Sequence, residues 1–268
     1  MNFSNLYYII LFFLSLHKIR LFYFKINNTN VTRFLVFHNI DRSFLYEFSN
    51  KIKLLKKYTN IVSIDDYMAG NLVNNRINTV ITFDDGYKNW ADFVSPILKK
   101  QKVPACFFIS SGRIEGASKY IDEKRINFSR RKQNFWMTIS DVKKIKEDGH
   151  IIGGHTINHI SLKKTRDMAI IRNEIIQDKI ILEAIISAPI SYFAYPYGEI
   201  NSSKECRQIL NDCGYRAAVT LIPGFNYRSS DVYLLHRDIV RPDLCTFDFL
   251  ARCLGNKDFI YYLSRLLK

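Results

Sequence analysis

The sequence is poor in acidic residues and has no apolar run long enough to cross a membrane. It contains 25 Asp and Glu residues against 39 Lys and Arg residues, so its formal net charge is +14. The basic residues are spread along the chain and form no nucleic-acid recognition motif. The charge therefore does not predict a nucleic-acid partner.

Cysteine is also scarce, and no two cysteines form a C-x-x-C pair. A chain of 268 residues with 47% hydrophobic content can bury a sizeable core without disulfide bonds. An odd number of thiols in such a chain predicts reduced cysteines, as in the cytosol. Length and composition favour one large α/β domain. The five cysteines are Cys106, Cys206, Cys213, Cys245 and Cys253.

The N-terminal apolar segment is short. Residues 6–16 carry no charge, but these eleven residues fall below the roughly 20 that span a bilayer. No Lys or Arg precedes them, no small-residue cleavage site follows, and Lys18, Arg20 and Lys25 lie on the C-terminal side. We predict that residues 1–30 contact the cytoplasmic face of a membrane peripherally and that the protein is cytoplasmic. A packed helix without lipid contact and a secreted chain are the alternatives.

Apolar strands alternate with amphipathic helices over most of the remaining chain, residues 31–268, which we assign to one catalytic domain. Such alternation predicts a parallel sheet, and about seven strands predict a closed, irregular α/β barrel. Barrels of this kind carry their chemistry at the C-terminal ends of the strands. The expected strands are residues 34–37, 79–83, 104–110, 151–152, 191–195 and 216–220, and the expected helices are 43–58, 89–101, 138–148, 161–186 and 202–213.

Two adjacent carboxylates, Asp84 and Asp85, end the strand Thr79-Val-Ile-Thr-Phe83. Like charges this close disfavour each other's ionisation unless a cation is bound. A divalent metal would use one carboxylate as a ligand and leave the other as a base. A turn or helix cap is the alternative reading of Asp-Asp-Gly.

A pair of histidines follows the next apolar strand. His155 and His159 are four residues apart, which on a helical turn places both imidazoles on one face. That spacing suits one metal ion, whereas a pair of solvated surface histidines is the alternative. Together with the aspartates, the pair predicts a metal site.

Three blocks of the sequence resemble the motifs of the polysaccharide deacetylases with a NodB homology domain, carbohydrate esterase family 4. They are Thr82-Phe-Asp-Asp-Gly86, His155-Thr-Ile-Asn-His159 and Phe193-Ala-Tyr-Pro-Tyr-Gly198. The resemblance covers roughly residues 31–250, and it is greatest to the poly-N-acetylglucosamine deacetylase-like subset. It implies the irregular (β/α)7 barrel of that family.

The resemblance also implies roles for the site residues. Asp84 is then the catalytic base, while Asp85, His155 and His159 hold a divalent metal. The backbone N–H of Tyr197 would face the oxyanion. Three protein ligands with one open position favour zinc, and cobalt, nickel or manganese are alternatives for the same nitrogen and oxygen donors.

The sequence departs from the family pattern in two places. Ala194 stands where the third motif commonly has an arginine that orients the base, so we expect Arg237 or Arg241 to supply the guanidinium from another strand. His236 is the match for the family's late general acid, although the local pattern fits loosely. A histidine at a strand edge is the alternative interpretation.

Other residues near the motifs are harder to assign. The segment from Gly112 to Phe135 carries seven basic residues and predicts a rim loop, either a flap over an anionic substrate or a solvated insertion. We interpret His38 as structural, with a groove-facing role as the alternative. Trp90 and Trp136 are expected to pack in the core.

The function predicted from these observations is metal-dependent removal of an N-acetyl group from an amino sugar in a polysaccharide or glycan precursor. A lipid-linked or nucleotide-linked sugar would suit both the positive charge and a start near the membrane. A deformylase or O-acetyl esterase acting on a lipid-linked sugar, or a catalytically silent glycan-binding protein, are the alternatives.

Overall fold

The computed structural model describes residues 30–117, 135–200, 204–256 and 258. The predicted membrane-contacting segment, residues 1–30, lies outside this part of the chain except for Asn30 and remains a prediction. None of the described helices is long and apolar enough to cross a membrane.

Eight strands of the described residues form one parallel sheet. Its order is β7-β6-β5-β4-β3-β1-β8, and the short β2 pairs with β3 beside this path. The strands are β1 (Thr32–Phe37), β2 (Asn60–Ile61), β3 (Asn78–Asp85), β4 (Cys106–Ile109), β5 (Ile151–Gly154), β6 (Tyr192–Ala194), β7 (Ala217–Val219) and β8 (Arg237–Ile239).

The two ends of this path meet, so the sheet is nearly closed. Val219 of β7 forms a parallel bridge with Leu235, two residues before β8, and the Thr220 N–H donates to the Leu235 carbonyl at 2.8 Å. The seven strands of the path thus form the predicted irregular barrel.

Seven α-helices accompany the strands in the described residues. Six of them pack against the outer face of the barrel around one large apolar cluster, whereas α2 packs through Ile64 and Tyr67 against the smaller cluster described next. A smaller cluster, which includes Phe34, Val80 and Phe108, fills the interior. The helices are α1 (Leu45–Tyr58), α2 (Ile64–Ala69), α3 (Ser95–Lys100), α4 (Ile139–Glu147), α5 (Met168–Ile186), α6 (Lys204–Asp212) and α7 (Thr246–Cys253).

Local sequence signals predict the start of one helix correctly and the starts of two others incorrectly. The predicted capping box at α4 is confirmed, since Thr138 and Asp141 each accept the other's backbone N–H. The helix expected from residue 161 begins only at Met168, because Asp167 caps the Ala169 N–H at 2.8 Å. The helix expected at 89–101 begins as a π-helix over Trp90–Val94 before α3. The short strand β2 was not predicted, and β8 was expected only as the strand that carries Arg237 or Arg241, without bounds.

Candidate active site

The motif residues gather at the C-terminal rim of the barrel. Asp84 and Asp85 are the last two residues of β3, and His155 directly follows β5. Tyr197 lies in the short 3-10 turn after β6. Parallel strands deliver their C-terminal ends to one edge, which is why blocks far apart in sequence meet here.

Asp85, His155 and His159 form a three-residue cluster whose candidate ligand atoms all lie within 4.8 Å of one another. Asp85 Oδ1 is 3.0 Å from His159 Nε2 and 3.9 Å from His155 Nε2. Two ligands of a tetrahedral zinc ion lie about 3.3 Å apart, given bonds of about 2.0–2.1 Å. The cluster therefore fits one divalent cation with little rearrangement.

The environment of His155 prepares one ring nitrogen for a metal. Its Nδ1 lies 2.7 Å from the Ala194 carbonyl oxygen, so Nδ1 carries the proton and the Nε2 lone pair faces Asp85. Burial lowers the pKa of His155 to about 3, so the ring is neutral at neutral pH. A neutral imidazole with its second nitrogen held by a carbonyl is the usual state of a metal-binding histidine.

The two histidines do not share a helical turn, and that premise of the sequence analysis is wrong. Residues 155–160 form an irregular loop, in which Thr156 and His159 adopt left-handed backbone conformations with φ of 62° and 53°. Asp85 and Tyr197 also have positive φ, at 107° and 60°. Such strained residues cluster where surrounding contacts enforce them, often at functional sites.

Asp84 is held by an arginine from the last strand. Arg237 donates from Nη1 to Asp84 Oδ1 and from Nη2 to Oδ2, both at 2.6 Å, and both side chains are buried. Arg237 Nε also donates to the Thr220 carbonyl at 2.8 Å. This confirms the prediction that another strand supplies the guanidinium missing at Ala194.

The charge state of Asp84 follows from these contacts. Burial alone would raise its pKa, but the charge of Arg237, the nearby His155, the hydrogen bonds from Arg237 and the charge of His38 outweigh it. The pKa of Asp84 is therefore held below its ordinary value. The carboxylate is ionised and can accept a proton.

Two side chains that the sequence analysis did not assign also contact Asp85. The Tyr87 hydroxyl donates to Asp85 Oδ2 at 2.9 Å, and Arg113 pairs with Oδ1. Trp136 covers both, since its ring stacks on Tyr87 and lies 4.5 Å below the Arg113 guanidinium. Trp136 is thus half-buried at the rim, whereas Trp90 lies in the core as expected.

The third motif places two tyrosines differently. Tyr197 is 60% exposed, and its ring lies 4.6 Å from the ring of His159. Tyr195 is buried and donates its hydroxyl to the Tyr233 carbonyl at 3.1 Å. Tyr197 is therefore the one available to a substrate beside the cluster.

The predicted acid, His236, lies away from the cluster. It precedes Arg237, which points to Asp84, and neighbouring residues of a strand face opposite sides. Its charged neighbours are Asp258 and Arg33, and burial lowers its pKa. No contact of its side chain supports the predicted role, which stays a prediction.

His38 lies closer to Asp84. It follows β1, which pairs with β3, and its charge acts on Asp84. It is half-exposed and lines a cavity of about 400 Å³ with Asn39, Phe44 and Ile239. A histidine directly after a strand, next in the sheet to the aspartate strand, was the signal for this residue in the sequence.

Comparison with known proteins places the chain in a family. A family model described as polysaccharide deacetylase matches residues 73–218, more than half of the chain. The chain belongs to the polysaccharide deacetylase family. A peptidoglycan-N-acetylglucosamine deacetylase of Bacillus cereus is 32% identical over 129 residues, 47% of this chain and 38% of that protein. The chain spans about half, or less, of the length of the curated relatives it matches.

Solved structures of deacetylases share the fold. Deacetylase PplD of Streptococcus pyogenes, in complex with acetate, superposes with a TM-score of 0.68 at 18% identity, covering 84% of this chain and 99% of that chain. IcaB of Ammonifex degensii gives a TM-score of 0.68 at 22% identity and covers 84% and 97%. The predicted (β/α)7 deacetylase barrel is confirmed.

Proposed function

We propose that the protein is a metal-dependent hydrolase that removes an N-acetyl group from an amino sugar in a glycan. One observation supports this most directly. The cluster of Asp85, His155 and His159 lies beside Asp84, a buried carboxylate paired with Arg237. Family membership and the names of relatives that act on peptidoglycan support the same reaction class.

Asp85, His155 and His159 would hold the divalent cation, and zinc suits their donor set best. When bound, such an ion supplies Lewis-acid activation of water and of an amide carbonyl. The Tyr87 hydroxyl holds Oδ2 of Asp85, while Oδ1 is directed at the two imidazoles and also pairs with Arg113. The protein thus orients its ligands before the cation arrives.

Asp84 is the proposed general base. It is ionised, buried and fixed by two hydrogen bonds, so it can accept the proton of an attacking water as the carbon–oxygen bond forms. Arg237 keeps the carboxylate in one orientation and offsets the cost of burying it. The base Asp84 and the metal ligand Asp85 are adjacent residues of β3, so the strand fixes the spacing between the base and the cation.

The developing oxyanion needs a hydrogen-bond donor, and the leaving amine needs a general acid. We assign the backbone N–H of Tyr197, in the turn after β6, to the developing oxyanion, and a lost donor of this kind typically costs about 10²- to 10³-fold in rate. His38 is the proposed acid, because it lies near Asp84 and lines an open cavity. It would give its proton to the amine as the carbon–nitrogen bond breaks.

The cavity beside His38 supports a glycan substrate rather than a lone amino sugar. It lies at the C-terminal ends of β1 and β8, next to the strand that carries Asp84. The half-exposed Phe44 and Ile239 offer apolar surface, while Asn39 and Asp41 offer polar groups. Sugar rings present both kinds of surface, so the sugar unit adjacent to the reacting one fits here.

The attachment of the glycan and the location of the protein are further parts of the proposal. The net charge of +14 supports a phosphate-linked precursor and peripheral contact with the cytoplasmic face of a membrane. Equal turnover of phosphate-linked and free N-acetyl sugars would contradict the first. Release of the protein from membranes by a low-salt wash alone would contradict the second.

The reaction is tested by incubating purified protein with N-acetylglucosamine oligomers and measuring acetate. We expect release that stops with a chelator, returns with zinc and is lost in Asp84→Asn. Formate from N-formyl sugars, or acetate from O-acetyl sugars alone, would replace the proposed substrate. Glycan binding without any release would identify a silent member of the family.

A further inference from the structure

Helix α5 carries two buried carboxylates on one face. Glu174 and Asp178 are four residues apart, and their exposed fractions are 5% and 0%. A buried carboxylate is costly unless it is hydrogen-bonded. The partners of both lie in the loop that carries His155 and His159, or directly against it.

Asp178 binds the backbone of a metal-site histidine. Its Oδ2 accepts the His155 N–H at 2.8 Å, and its Oδ1 accepts the Ser111 N–H at 2.9 Å. On the other side, the Ser110 hydroxyl donates to the His155 carbonyl at 3.0 Å. The backbone of His155 is therefore fixed from both sides, through groups on α5 and after β4.

Glu174 holds the middle of the same loop. Its Oε2 accepts the Asn158 N–H at 2.8 Å, and its Oε1 accepts the Asn158 side-chain amide at 2.7 Å. The Ile157 N–H donates to the Glu174 carbonyl at 3.3 Å, and the Ile157 carbonyl accepts the Gly112 N–H at 3.1 Å. Asn158, the residue before His159, is thus held by the Glu174 side chain, and Ile157 is held by main-chain hydrogen bonds.

The loop needs such support because its conformation is unfavourable by itself. Thr156 and His159 have positive φ, a backbone conformation that is strained for residues other than glycine. The sequence also makes room for the support. A Cβ at Gly154 would collide with the Tyr215 hydroxyl and lie 3.0 Å from Asp178 Oδ2. A glycine before His155 is what allows the Asp178 carboxylate to approach.

We propose that Glu174 and Asp178 are positioning residues that set the metal affinity of the site by fixing the loop between His155 and His159. This inference rests on the metal site of the proposed function. The two carboxylates do not touch the cation or the substrate. They hold both imidazoles in the binding arrangement before the cation enters, and the cation affinity falls when the loop is released.

The test compares variants that differ in the hydrogen bonds that their side chains can accept. In Asp178→Asn, one acceptor becomes a donor that faces a backbone N–H, so a contact is lost. Glu174→Met removes both acceptors at similar volume. Glu174→Gln keeps the acceptor for the Asn158 N–H, and the Asn158 amide can turn its oxygen towards the new amide. Glu183→Met is the control, since Glu183 also lies on α5 and accepts a backbone N–H, that of Ile190 at 2.8 Å.

Zinc dissociation constants are measured by competition with a chromophoric chelator, and thermal unfolding of the metal-free proteins is measured in parallel. We expect Asp178→Asn and Glu174→Met to bind zinc about 10- to 100-fold more weakly. Glu174→Gln and Glu183→Met should bind within about threefold of the parent. Should Asp178→Asn fail to fold, the Glu174 pair decides the matter.

Lower unfolding temperatures with unchanged zinc affinity in Asp178→Asn and Glu174→Met would overturn the inference, because the carboxylates would then serve the fold alone. Equal weakening in the Glu183→Met control would do the same. Failure of the proposed function looks different, since the parent protein itself would then bind no zinc or release no acetate.

Discussion

Arg237 and Asp84 form a buried, two-point ion pair between residues 153 positions apart in the chain. The pair joins β8 to β3 across β1, and the Phe108 ring lies 5.4 Å from the guanidinium. Because the arginine comes from β8, position 194 is free to be alanine. The backbone carbonyl oxygen of Ala194 accepts a hydrogen bond from His155 Nδ1.

Replacing Arg237 should damage both activity and stability. Arg237→Met leaves the Asp84 charge buried without a partner, which typically costs about 3–5 kcal/mol of unfolding free energy. Arg237→Lys keeps the charge but cannot make two parallel bonds, so we expect a smaller loss of stability and at least a tenfold lower kcat. Urea unfolding and acetate release measure the two effects.

A matched control exists for this prediction. Arg207 also pairs with an aspartate, Asp231, but on the surface. Exposed ion pairs contribute about 0–1 kcal/mol, so Arg207→Ala should change neither stability nor activity much. A full-rate Arg237→Met enzyme would contradict the assignment of Arg237 to the base.

His38 and His236 are the two candidate donors of the proton that the leaving amine takes up. We expect His38→Gln to lower kcat by about 10²- to 10⁴-fold, the usual contribution of a general acid, while zinc affinity is retained. If His236 is the acid instead, the loss will appear in His236→Gln. Steady-state kinetics on one N-acetylglucosamine oligomer, with zinc affinity measured beside it, separates the two.

Metal binding should stabilise the folded protein. A ligand that binds only the folded state at about 1,000 times its Kd adds about 4 kcal/mol to the unfolding free energy. Zinc should therefore raise the unfolding temperature of the parent protein, and a chelator should reverse it. Asp85→Asn and His159→Gln should show little of this increase. An equal increase in both variants would place the cation elsewhere.

Stability should fall in acid partly through His150. Burial lowers the pKa of this imidazole below its ordinary 6.5, the nearby Lys99 adds to that, and Asp148 opposes it. Below pH 6.5 the unfolded chain takes up a proton at His150, whereas the folded chain resists this protonation. The stability that comes from keeping His150 neutral is therefore complete above pH 6.5 and is lost as the pH falls below it. His150→Leu should lose less stability than the parent between pH 7.5 and 5.5.

Urea midpoints at the two pH values measure this difference. The ring of His150 packs 5.3 Å from that of Phe107, so leucine keeps an apolar contact there. An identical acid-induced loss in both proteins would show that His150 is not responsible.

The sequence predicts the barrel and the metal cluster because their signals are local. The alternation of strands and helices specifies a parallel sheet, and parallel strands bring Asp85 and His155 to one edge. Adjacent carboxylates and paired histidines are visible without a structure. The geometry of the histidine loop is not, since H-x-x-x-H also fits a helical turn and the loop is held by contacts with α5 that only the folded chain makes.

Side chains whose role depends on distant partners are the ones that sequence reasoning missed. Tyr87 and Arg113 act on Asp85 through contacts made only in the folded barrel. The choice between Arg237 and Arg241 depended on which residues of β8 face inward, and that strand has only three residues. A strand was expected around these residues, but three residues of mixed polarity are too few for its inward face to be read from periodicity.

The closure of the barrel at β8 has a consequence for protein synthesis. A ribosome delivers β3, the histidine loop and the turn of Tyr197 before it delivers Arg237. During that interval Asp84 has no guanidinium to hold it, although all three motif blocks have been made. The buried ion pair between Asp84 and Arg237 therefore forms only when β8 docks, after translation has passed that point.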